Sequence, residues 1–303
     1  MLLALIATTF AGTGPWTLPE ADVSVYAGAE YQRISRLATG TGSYSDDVLD
    51  VDEGLEKMGG QLILGYGVRD RVDIELAIPY YTVTANRVDG PLCGALGLGA
   101  CKPTAGLGIV TAKVKALAVD ELLGAPLSVA VGGELRLGQA TDATRMRVTN
   151  LGEGTTDVGG FVSAGRSGGL GNGYWSGYLE VAGRYRFPNT DVGGTPVPGP
   201  ELSADIEWLG GLSPAWAVGP AVNLLWRPTG DDIETLNATD PDRFGALRVL
   251  NLRAGGKLIV RSSQRTSLAL AAFGTPYAEN NPANQVIVTV GLSGQIATRA
   301  QAE

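Results

Sequence analysis

The residues in this chain that could do chemistry come as same-sign charge pairs spaced two apart. Asp73 and Glu75 form one pair, Lys113 and Lys115 a second, Arg184 and Arg186 a third, Asp205 and Glu207 a fourth. Lys57, Glu134, Arg136, Glu180, Arg227, Arg253 and Lys257 occupy comparable positions among apolar neighbours. Paired carboxylates can perform acid/base work when their environments differ. Here each acidic pair has cations on a neighbouring stretch, which favours structural ion pairing over catalysis. The chain contains no His, so a His general base, a Ser-His pair and a His metal ligand are all excluded. No catalytic set, no metal set and no cofactor motif emerges, and the sequence reads as a non-enzyme.

The two cysteines, Cys93 and Cys101, lie in a Gly-rich segment, PLCGALGLGACKP. Two thiols are too few for a structural zinc site. In an exported protein their even count and short spacing suggest a loop disulfide, with two free thiols as the alternative. The net charge of −8 makes a poor nucleic-acid binder. Acidic residues gather between the patterned stretches, at Asp46, Asp47, Asp50, Asp52 and Glu53 and again at Asp231, Asp232 and Asp240. They read as a solvated surface, or as sites for divalent cations that bridge to lipopolysaccharide.

The charge pairs must be positioned by strands, because residues two apart share a face only in a pleated strand. The stretch Gly59 to Ala85 shows this most fully. Leu62, Leu64, Tyr66 and Val68 share one face of a first run; Val72, Ile74, Leu76, Ile78 and Tyr80 share one face of a second. The joint Val68–Arg71 separates them. Runs of this length exceed the ~5–6 residues of ordinary strands and match the ~9–11 that a tilted strand needs to cross a bilayer. No run approaches the ~18 apolar residues of a spanning helix. Only a helix or a closed sheet satisfies all backbone groups in lipid, so the pattern predicts an all-β transmembrane antiparallel up-and-down barrel. A soluble β-sandwich is the alternative.

About twelve strands are expected. They cover Ala21–Leu37, a stretch ending at Val68, a stretch ending near Ala85, Thr104–Val119, Leu127–Gly138 and Thr156–Arg166. The remainder are Tyr174–Phe187, Glu201–Leu212, Ala215–Arg227, Ala246–Val260, Thr266–Thr275 and Val286–Ile296. Long connections (ATGTGSYSDDVLDVDE, Asn86–Lys102, Gln139–Gly154, PNTDVGGTPVPGP, Pro228–Phe244, PYAENNPANQ) alternate with short ones. In outer-membrane barrels the short turns are periplasmic, so both termini are expected there. The aromatics Tyr80, Tyr81, Trp175, Tyr185, Phe187, Trp208, Trp216 and Trp226 sit near predicted strand ends, as interfacial girdles require.

A Lys or Arg on the lipid face would cost ~2–4 kcal/mol at the midplane. The charges therefore face inward: Glu30, Lys57, Asp73, Glu75, Lys113, Lys115, Glu134, Arg136, Glu180, Arg184, Arg186, Asp205, Glu207, Arg227, Arg253 and Lys257. Asp73/Glu75 are expected to face Lys113/Lys115, and Asp205/Glu207 to lie between Arg184/Arg186 and Arg227. The network either fills a narrow lumen or lines an aqueous path.

Residues 1–14 resemble the tail of a signal peptide, with cleavage after Ala11, though the basic n-region is missing; a plain hydrophobic first segment is the alternative. Residues 15–303 read as one barrel domain.

Several hairpins also resemble a known family. LGYGVRDRVDIELAIPYY (64–81), GLGIVTAKVKAL (106–117), PLSVAVGGELRLGQATD (126–142) and QVIVTVGLSGQIA (285–297) are similar to strands of the bacterial outer-membrane β-barrel family of phenol meta-pathway degradation-like transporters. Ile109 stands where that family usually has Asp, and Leu137-Gly138-Gln139 where it has Pro-Thr-Gly. The resemblance implies an outer-membrane protein that passes hydrophobic or aromatic compounds, and it carries over no binding residues. The expected function is a channel or passive transporter for small solutes. A structural or surface-interaction barrel with a plugged, salt-bridged lumen is the alternative. The expected partners are the bilayer, lipopolysaccharide, the barrel-assembly machinery and a small-molecule solute, with no nucleic acid.

Overall fold

The computed structural model describes residues 14–38, 48–85, 103–138, 155–187, 199–230, 248–263, 265–279 and 281–296. Its strand segments, in chain order, are β1 Val23–Ala38, β2 Val48–Arg69, β3 Val72–Ala85, β4 Thr104–Leu107, β5 Val110–Val119, β6 Ser128–Leu137 and β7 Thr156–Leu170. They continue with β8 Gly173–Phe187, β9 Glu201–Ser213, β10 Trp216–Arg227, β11 Val249–Arg261, β12 Thr266–Glu279 and β13 Asn281–Ile296. Consecutive strands pair antiparallel, except that β4 and β5 both pair with β3, and β1 pairs with β13 from Val23↔Ile296 to Ala38↔Asn281. The sheet thus closes on itself as a twelve-strand antiparallel barrel, because β4 and β5 form two pieces of one stave against β3.

That stave was read from sequence as a continuous strand, Thr104–Val119. It breaks at Gly108-Ile109, opposite Pro79, which has no N–H to give the ladder. Gly108 N donates instead to the Pro79 carbonyl at 3.0 Å, and Ile109 is buried.

Three other connections are shorter than the sequence suggested. The polar stretch VLDVDE belongs to β2, SGGL to β7, and PYAENNPANQ to the tips of β12 and β13. Polar and Gly-rich residues continue a strand once its neighbour already offers a ladder of donors and acceptors. Cys93, Cys101 and residues 1–13 lie outside the described residues.

The period-2 pattern resolves into two unlike faces. Leu62, Leu64, Tyr66, Ile74, Leu76, Val131, Leu135, Val162, Val181, Val288 and Leu292 are exposed on the outside. The expected charges are on the inside. Among the girdle aromatics, Tyr80, Tyr185, Phe187, Trp208, Trp216 and Trp226 are exposed, and Tyr185 and Phe187 meet edge to face with centroids 4.9 Å apart. Tyr81 is an exception. It points inward, 2% exposed, with the Lys57 ammonium 3.6 Å above its ring; parity with Asp73 and Glu75 decides its face.

Candidate functional site: the lumen

Three levels of side chains can be distinguished inside the barrel. Toward the long connections, arginines dominate one wall. Glu201, at the start of β9, is their hub. It accepts from Arg136 Nη1 at 2.7 Å, from Arg184 Nη1 at 3.1 Å and from Arg227 Nη2 at 2.7 Å. Arg184 also pairs with Glu134, and Arg186 Nε lies 3.4 Å from Asp157. Arg186, Glu201 and Arg227 are at most 2% exposed, so this wall is packed solid. The opposite wall, on β1–β3 and β11–β13, is largely apolar or uncharged. Ile34, Leu55, Val83, Val249, Phe273 and Ile287 are buried there. Gln32 Nε2 donates to Gln285 Oε1 at 2.5 Å, and Gln285 donates to Thr275. Just below, Lys57 reaches Glu30 at 2.8 Å.

The middle level is looser. Glu75, Lys113, Tyr178, Asp205, Glu207 and Asn223 are only partly buried, although they face inward. Lys113 reaches Glu180 at 3.1 Å, Lys257 reaches Glu207 at 2.8 Å, and Asn223 Nδ2 donates to Asp205 at 2.6 Å. Partial exposure between two packed levels defines a small polar chamber.

The lowest level is closed by backbone. Residues 14–22 run across the short-turn end rather than away from it. Lys115 Nζ donates to the carbonyls of Trp16 at 2.6 Å and Gly14 at 3.4 Å. Leu18 N donates to Asp73 Oδ2 at 3.2 Å, and Ala21 N to the Gly67 carbonyl at 2.7 Å. Trp16 Nε1 donates to Glu121 at 3.1 Å, in the short 3-10 turn Glu121–Leu123. Gly14 has φ +62°, and a Cβ there would fall 2.7 Å from the Trp16 ring and 3.0 Å from Tyr178; only Gly fits this approach. Glu121 lies outside the barrel wall. Burial pushes its carboxyl up, but hydrogen bonds from the Ser167 hydroxyl, the Ser167 amide and Trp16 outweigh this and hold it below the ordinary range.

The expected charges therefore all face the lumen, but their partners differ from the sequence reading. Asp73 does face Lys115, at 3.5 Å. Glu75 is in register with Lys113, yet Lys113 turns across to Glu180. Asp205 and Glu207 do not lie between Arg184/Arg186 and Arg227, because those arginines sit one level higher, at Glu201 and Asp157. Sequence reasoning missed Glu201, Asp157, Gln32, Gln285 and the N-terminal closure. Glu201 shares parity with Asp205 and Glu207 and could have been found from it. Asp157 stands on the Gly-rich β7, where alternation is faint. Among the described residues no acidic or cysteine cluster could hold a metal.

No protein-family model matches the chain, and no curated protein matches its sequence. Solved structures do match in fold. The COG4313 outer membrane channel from Pseudomonas putida F1 superimposes with TM-score 0.64 at 17% identity, covering 93% of this chain and 98% of that one. LpxR from Salmonella typhimurium (TM-score 0.48, 10% identity, 90% and 99% covered) and the KdgM porin (TM-score 0.43, 7% identity, 89% and 99% covered) superimpose more loosely. The chain shares the fold of the first of these, a closed antiparallel outer-membrane barrel.

Proposed function

We propose that this chain is an outer-membrane channel or passive transporter for small solutes, including ones with hydrophobic or aromatic bodies. The observation that carries the reading is the partly exposed chamber at Glu75, Lys113, Tyr178, Asp205, Glu207 and Asn223, enclosed by a wall that is apolar outside. A barrel needed only as a scaffold could pack these side chains as tightly as the arginine level above them. The wall above the chamber is amphipathic, with arginines opposite Ile34, Leu55, Val83, Phe273 and Ile287. That arrangement suits a solute with an apolar body and a polar end. The fold shared with an outer membrane channel supports the same reading. Under it, the surroundings are outer-membrane lipid and lipopolysaccharide, and insertion depends on the barrel-assembly machinery.

A second reading, a plugged barrel that works through its surface, is favoured by the packed arginine level and by the segment 14–22. Reconstitution separates the two. A channel gives discrete conductance steps in planar bilayers and speeds entry of small phenols into proteoliposomes. Silence in both assays, from protein that is folded and inserted, overturns the transport reading.

A further inference from the structure

Two carboxylates of the chamber, Glu75 and Asp205, have no cation within ion-pair distance among the described residues. Glu75 is in register with Lys113, whose ammonium lies 3.1 Å from Glu180; Glu180 stands opposite Asp205, and Tyr178 opposite Glu207, so carboxylates from β3, β8 and β9 line one stretch of the lumen. Two have a dedicated cation: Glu180 has Lys113, and Glu207 has Lys257. The cations nearby are committed elsewhere. Lys115 holds Asp73 and the N-terminal carbonyls, and Arg184 holds Glu134 and Glu201. Arg253 Nε donates to Asn251 at 3.1 Å, and Lys113, in register with Glu75, is drawn to Glu180. Among the described residues, Glu75 has no ion pair, and Asp205 accepts only from the uncharged Asn223 amide. Carboxylates without a close cation in an enclosed space are costly, and a bound cation removes part of that cost.

A separate observation points to the same ligand. Ser163 on β7 is fully buried on the inner face, and its Oγ has no hydrogen-bond partner among the described residues. It stands directly opposite Glu180, which in turn stands opposite Asp205. An unused acceptor opposite Glu180, with Asp205 one strand further on, suits a group with several N–H donors. It does not suit a bare metal ion, since no carboxylate group among the described residues converges closely enough for one.

We infer that the mid-lumen chamber is a binding site for a small organic ammonium compound, held between Glu75 and Asp205, with Ser163 accepting a further N–H. This names a solute class for the channel and so rests on the transport reading for its biological use, though not for its existence.

The test uses the full chain, folded in detergent micelles, titrated calorimetrically with 1,4-diaminobutane. Butylamine, butanol and magnesium chloride serve as comparisons. The expected result is saturable binding of the diamine, weaker binding of butylamine and none of butanol or magnesium. The near-isosteric E75Q/D205N variant should bind the diamine about tenfold more weakly or worse, and S163A should show a smaller loss. Retained strand circular dichroism in each variant excludes misfolding. No saturable heat with the parent protein, equal binding by E75Q/D205N, or magnesium binding as tightly as the diamine overturns the inference. Proteoliposome uptake is measured separately. Binding without uptake overturns the transport function and leaves the site standing; uptake of phenols without diamine binding does the reverse.

Discussion

At the scale of single residues, Glu201 bears the greatest consequence. Three guanidinium groups converge on its carboxylate in a dry part of the lumen. Removing one partner of a buried ion pair leaves the others uncompensated and costs ~3–5 kcal/mol. E201Q keeps the shape and removes the charge. It should lower the urea midpoint of unfolding in detergent by an amount corresponding to that range, whereas E207Q, at a half-open position, should cost less. Equal stability of E201Q and the parent would show that the arginines are neutralised by other means. Glu121 makes a different prediction, with a defined sign. Its folded carboxyl is held below the ordinary value, so its hydrogen bonds stabilise the turn fully above the unfolded carboxylate pKa, ~4.3. They are lost as pH falls through the lower folded value. The protection of the Ser167 amide against hydrogen exchange, taken relative to the intrinsic rate at each pH, should fall on acidification below ~4 in the parent and stay unchanged in E121Q. Alternation alone shows which way these side chains face. It does not show which of them meet, because tilted staves shift the rows, and Lys113 spans the lumen to Glu180 instead of reaching its register partner Glu75.

At the scale of elements, the N-terminal segment crosses the short-turn end of the lumen. It is tied down through carbonyls and amides, to Lys115, Asp73 and Gly67, and these donors and acceptors occur in every sequence. Nothing in GTGPWTLPEAD marks a closure, which explains why the sequence led only to a strand beginning near Ala21. Deleting residues 14–20 should leave the strand circular dichroism unchanged and raise single-channel conductance several-fold. K115A should do so partially, since it frees the Gly14 and Trp16 carbonyls. An unchanged conductance after deletion would assign the obstruction to the arginine level instead. The strands themselves were legible because a two-faced strand must alternate. Their ends were less so: VLDVDE, SGGL and PYAENNPANQ look like loops, and only pairing with β1, β8 and β11 extends them as strands.

For the whole molecule, the decisive property is that the outside is apolar and the inside charged, the reverse of a soluble barrel. Val162 lies near the middle of β7 with its side chain outward, 52% exposed; the next residue, Ser163, points inward and is fully buried. If lipid surrounds the barrel, V162R sets a guanidinium near the bilayer midplane and should cost ~2–4 kcal/mol in reversible refolding into phospholipid vesicles. The same change at Leu137, at the end of β6, should cost less, since the penalty falls toward the interface. In an aqueous barrel an added surface arginine is nearly neutral, and depth along the strand has no meaning. A flat profile across Val162, Leu135 and Leu137 would therefore refute the membrane reading, whatever the lumen does. A penalty that peaks at Val162 would fix the height of the bilayer on the barrel. It would also fix the depth of the acidic chamber: Ser163 follows Val162 on β7, and Glu180 stands opposite Ser163 on β8. A site for ammonium groups at that depth lies where an unpaired carboxylate is least tolerable, which is the physical reason to expect a cation there.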